Sequence, residues 1–72
     1  MNKYIIPVCD IQSGKVFNEI INATSLEDCE DRLVFKYADK YDLSGVCQYE
    51  DLVNELDKID ILIGNIKDID EL

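Results

Sequence analysis

The side chains of this chain that could carry chemistry are carboxylates and thiols. Sixteen Asp and Glu stand against seven Lys and Arg, and there is no histidine. Without imidazole there is no Ser–His or Cys–His nucleophile and no ordinary proton shuttle near neutral pH. Paired carboxylates serve glycosidic chemistry only when a cleft holds them around a substrate, and a chain of 72 residues rarely encloses one. Asp68-x-Asp70-Glu71 has the flavour of a calcium loop, but the glycine and the terminal glutamate at loop spacing are missing, so it reads as a solvated acidic tail. Gly14, Gly45 and Gly64 are isolated and build no phosphate-cradling loop. Cys9, Cys29 and Cys47 are odd in number and widely spaced, which argues against a disulfide framework, and no histidine completes a three-cysteine metal site. They read as reduced cysteines acting as small buried hydrophobes. The expectation is a chain with no catalytic residue, no metal and no cofactor, and not an enzyme.

What remains is charge. The formal net charge of −9 disfavours contact with nucleic acid and with anionic membrane, and favours basic patches on other proteins. It is unevenly spread. Up to Tyr49 there are eight acids and five bases, net −3; from Glu50 onward there are eight acids and two lysines, net −6. Burying unpaired carboxylates is costly, so Glu50, Asp51, Glu55 and Asp57 must form a solvated ridge on any helix that carries them. Such a ridge either keeps a small apolar domain soluble or imitates the phosphate row of a nucleic acid. In the second case Glu50, Asp51, Glu55, Asp57, Asp60, Asp68, Asp70 and Glu71 are the candidate partner-binding residues. The partner would be a basic, nucleic-acid-binding protein.

These acids need a scaffold. Length bounds the chain to one small domain, residues 1–72, and 47% hydrophobic content supports a folded core. No apolar run approaches the roughly 20 residues that cross a bilayer, and Met1–Asp10 lacks the features of a signal peptide. Lys3–Val8 is rich in strand formers, with Pro7 demanding a sheet edge or a bulge. Asp10–Lys15 is a turn and Val16–Asn22 a second strand, together a β-hairpin. Ser25 or Thr24 caps a helix with Glu27 or Asp28 in the reciprocal position, and the helix ends near Tyr41. Its apolar face is Leu26, Cys29, Leu33 and Tyr37, widened by Val34, Ala38 and Tyr41. A second helix spans Tyr49–Lys58 with the stripe Tyr49, Leu52, Val53, Leu56 and Ile59. Ile59–Ile63 reads as a third strand or as continued helix; residues 66–72 read as strand, helical turn or flexible acidic tail. The expected fold is α+β in the order β-β-α-α-β, two helices on one face of a three-stranded sheet.

The aromatics on the helical stripes, Tyr37, Tyr41 and Tyr49, read as core residues with wet hydroxyls. Phe35 falls about 200° off the Leu26–Leu33–Tyr37 stripe. It is either an exposed apolar anchor for a partner or homodimer, or part of a helix buried on two sides. An assembly module binding through an apolar patch or sheet edge is therefore the alternative function.

The Lys3–Val8 hairpin start, the Ser25-Leu26-Glu27-Asp28-Cys29 helix opening and the Ile/Asn/Lys/Asp-rich composition resemble the small acidic proteins of bacteriophages and mobile elements. That resemblance implies an inhibitor of host defence, of the anti-CRISPR or DNA-mimic type, acting in the cytoplasm of a bacterial host. It transfers no functional residue.

Overall fold

The computed structural model describes residues 1–71, Glu71 by its backbone alone. The elements are β1 (Asn2–Asp10), β2 (Lys15–Ala23), α1 (Leu26–Lys40), α2 (Tyr49–Lys58), β3 (Ile61–Ile63) and β4 (Lys67–Asp68), followed by a 3₁₀ turn over Ile69–Glu71. This is the expected α+β domain with a short fourth strand added. The sheet runs β2-β1-β3, and β4 continues along the β3 side of β1; all pairings are antiparallel.

The hairpin forms because its turn is satisfied locally. The Asp10 carboxylate accepts hydrogen bonds from the Gln12 and Ser13 amides, and Gly14 takes a φ of 74° that closes the reversal. β1 is central, so Pro7 does not lie at a sheet edge; it lies at a bulge. The register to β1 slips by one residue between Val8↔Ile63 and Ile5↔Lys67, leaving Gly64, Asn65 and Ile66 opposite Ile6 and Pro7. Proline has no amide to donate there, and the partner strand bows out around it.

Helix α1 begins where Ser25 Oγ accepts the Asp28 amide at 3.1 Å. The Asp28 carboxylate reaches back, not to Ser25, but to the Thr24 amide at 2.9 Å, and also accepts from Arg32 Nε at 3.1 Å. Helix α2 has no side-chain cap, but places Glu50 and Asp51 against its N-terminal dipole. It stops at Lys58 because Asp60 turns left-handed at φ 62°, which rules out a helix continuing to Leu62.

Both helices pack on one face of the sheet. Tyr4, Ile6 and Val8 of β1 meet Cys29, Leu33, Val34 and Tyr37 of α1 and Leu52 and Leu56 of α2. Leu26, expected in this core, is half exposed at the first turn of α1, and Ile59 lies at the exposed end of α2. The result is a slab with Cα extents of 31 × 27 × 16 Å, helices on one side and a bare sheet on the other. Among the described residues no helix is long and apolar enough to cross a membrane.

Candidate functional site

The loop after α1 returns alongside it. Cys47, Gln48, Tyr49 and Glu50 come to line one groove with Glu27, Glu30 and Asp31. The two helices therefore start at the same end of the slab, and Glu27, Glu30 and Asp31 of α1 share one concave acidic surface with Glu50 of α2. Burial, then the negative charge of Glu30, pushes the Tyr49 hydroxyl above its ordinary value at this groove. Cys29 beneath it is likewise pushed up, by burial first and then by Glu30 and Asp28. Nothing local in the sequence signals that the loop folds back to bring Glu50 beside Glu27, Glu30 and Asp31.

The predicted acidic residues separate into groups. Glu50 joins the groove, and Asp51 and Asp57 are exposed on α2. Glu55 is half-buried and holds Lys58 at 2.9 Å, so its charge is locally answered. Asp60 sits at the hairpin end, its carbonyl accepting the Ile11 amide at 2.9 Å. Asp68 sits at the opposite end of β1, paired with Tyr4, and its carboxylate accepts the Asp70 amide at 2.9 Å. Those two ends lie about 20 Å apart along the strand. The Glu71 side chain lies outside the described residues.

Among the described residues three ion pairs form: Arg32–Asp28, Lys36–Glu19 and Lys58–Glu55. Glu19 is set apart from the other acids by lying under α1 with its side chain 13% exposed. Burial raises its carboxyl, but Lys36 Nζ at 2.7 Å and the Tyr37 hydroxyl at 2.8 Å outweigh burial and hold it below the ordinary value. The Tyr37 hydroxyl is therefore bonded inside the protein and not wet, and burial and Glu19 together drive its own titration far upward.

The bare sheet face has the opposite character. Cross-strand partners share a face, so Lys3, Ile5, Pro7, Cys9, Val16, Asn18, Ile20, Asn22, Leu62 and Lys67 lie together on it. No acid occupies a strand position there. Phe35 is 81% exposed on α1, so the helix is not buried on that side. Of the cysteines only Cys29 is buried; Cys47 is exposed, against expectation. Among the described residues no three Cys, Asp or Glu side chains converge to hold a metal ion. No family model, curated protein or solved structure matches this chain.

Proposed function

We propose that this protein is a non-enzymatic binding protein whose acidic helical layer docks on a basic surface of a nucleic-acid-handling protein and excludes the nucleic acid. One observation carries the reading: the charge is segregated. The carboxylates of α1 and α2 belong to the helical layer, Asp10, Asp60, Asp68 and Asp70 lie at the slab's ends, and among the described residues no acid occupies a strand position on the sheet's open face. Charge serving solubility alone has no reason to vacate a face. The convergence of Glu27, Glu30, Asp31 and Glu50 supplies a dense centre for that layer. Inhibition of host defence, as in anti-CRISPR or DNA-mimic proteins, is the biological setting this reading favours.

The test is capture of partners from bacterial lysate on the tagged protein, followed by elution with salt or with duplex DNA. A nucleic-acid-binding protein displaced by both, and lost when Glu27→Gln, Asp31→Asn, Glu50→Gln and Asp51→Asn are combined, supports the reading. Partners retained by the neutralised variant at wild-type level would sink it. Neutralisation rather than reversal is chosen because lysines at these helix starts would oppose the dipoles.

A further inference from the structure

The two edges of the sheet are not alike. On one side β3 has three residues, β4 has two, and the bulge at Gly64–Ile66 breaks the line between them. That edge is blunted in the way natural sheets avoid pairing with other chains. On the other side β2 runs nine residues with no proline and no bulge. Its only charges are Lys15 at the start and Glu19, which is turned inward and bound by Lys36 and Tyr37.

Pro7 fixes which backbone groups of β2 are free. The Pro7 carbonyl accepts the Gly64 amide at 2.8 Å, and the Ile11 amide donates toward Asp60. Odd-numbered residues of β1 thus turn their backbone groups toward β3, and even-numbered ones toward β2. In an antiparallel pair, Phe17, Glu19, Ile21 and Ala23 consequently bond to β1. Val16, Asn18, Ile20 and Asn22 aim their N–H and C=O groups away from the sheet, with Val16 73% and Ile20 57% exposed.

We infer that this edge is the surface on which a second copy of the chain pairs, β2 against β2 about a two-fold axis. The strand is self-complementary about Asn18. Antiparallel pairing centred there sets Val16 opposite Ile20 of the second copy, twice, with amide facing amide at the centre. The flanking helix supports the same contact. Phe35 sits on the outward crest of α1, lining one groove with Val46 and Cys47 and another with Ile21, Asp28 and Arg32; through the second it reaches the β2 side, where the junction would place the two copies nearest each other. Charge also selects this flank. Residues 15–40 hold six acids and four bases, net −2, whereas the chain from Glu50 onward carries −6. Two molecules of net charge −9 therefore repel each other less at this flank than at the α2 end.

The inference does not depend on the acidic-layer reading, and salt separates them: screening tightens a dimer of like-charged copies and weakens an acidic–basic complex. The experiment is analytical ultracentrifugation from about 1 μM to about 1 mM with amide exchange followed residue by residue. The expected result is twice the 8.3 kDa chain mass at the upper concentrations, with exchange at Val16, Asn18, Ile20 and Asn22 slowing as concentration rises. Asn18→Lys, which opposes like charges across the axis, should weaken the dimer at least about tenfold while leaving the monomer's circular dichroism unchanged. Phe35→Ala should weaken it by a smaller factor. A chain that stays monomeric at the highest concentration, or a dimer unaffected by Asn18→Lys, overturns the inference.

Discussion

Gly64 lies directly against Pro7: its amide donates to the Pro7 carbonyl at 2.8 Å, and a Cβ added at Gly64 would stand 2.6 Å from Pro7 Cγ. The glycine is required by contact with the ring, since no positive φ demands it. Gly64→Ala should therefore destabilise the protein by about 1–3 kcal/mol, the usual range for overpacking a tight site. In a Pro7→Ala background the same substitution should cost less, by on the order of 1 kcal/mol of coupling. Urea titration of the four proteins measures this, and equal costs in both backgrounds would refute the contact as the cause.

The Glu19–Tyr37–Lys36 cluster makes stability depend on pH at both extremes. Glu19 titrates below its ordinary 4.5 when folded, so its contribution is present above that value and is lost as pH falls through the lowered folded value. Tyr37 titrates above its ordinary 10.0 when folded, so its contribution is complete below that value and is lost as pH rises beyond it. Tyr37→Phe should cost about 2 kcal/mol, as expected for a hydrogen bond to a charged group, and should flatten the alkaline limb of stability against pH. An alkaline limb unchanged in Tyr37→Phe would place its origin elsewhere.

The three thiols should report burial in order. Cys47 is exposed, Cys9 intermediate and Cys29 buried with its thiol pushed upward. A disulfide reagent should modify Cys47 at once and Cys29 only on unfolding, because the thiolate is the reactive form. Mass spectrometry of partly labelled protein checks this; early label at Cys29 would contradict the packing.

Asp60 holds φ at 62° to turn the chain from α2 into β3. Asp60→Gly should be tolerated or slightly stabilising, whereas Asp60→Val should cost on the order of 1–2 kcal/mol, since a β-branched residue resists left-handed backbone. Thermal melts compare them directly. Similar melting points for both would count against a strained turn.

Much of the fold was legible because its signals are local. Ser25 with Asp28, the turn at Asp10–Gly14 and the 3.6-residue stripes of both helices each act within one turn of chain. What was not legible depends on residues far apart. Pro7 allowed an edge or a bulge, and only the meeting with Gly64, more than fifty positions later, decides it. The acidic groove had the same difficulty: Glu27, Glu30 and Asp31 join Glu50 because a loop doubles back, and charge counting along the chain grouped Glu50 with Asp60 and Asp68 instead. The helical stripe puts Tyr37 in the core, but its hydroxyl's partner Glu19 sits on another element, beyond the reach of any local pattern.

The central position of β1 has a further consequence, for the timing of synthesis. Residues 2–10 leave the ribosome well before the strands that flank them: Val8–Asp10 must wait for Ile61–Ile63, and Tyr4–Ile5 for Lys67–Asp68. Until then the nascent chain holds a two-stranded hairpin and a helix with one flank of its first strand bare, an arrangement of marginal stability. Closure of the sheet is a late, long-range event, slower than hairpin or helix formation. The newborn protein passes through an interval in which that flank is open to any extended chain nearby.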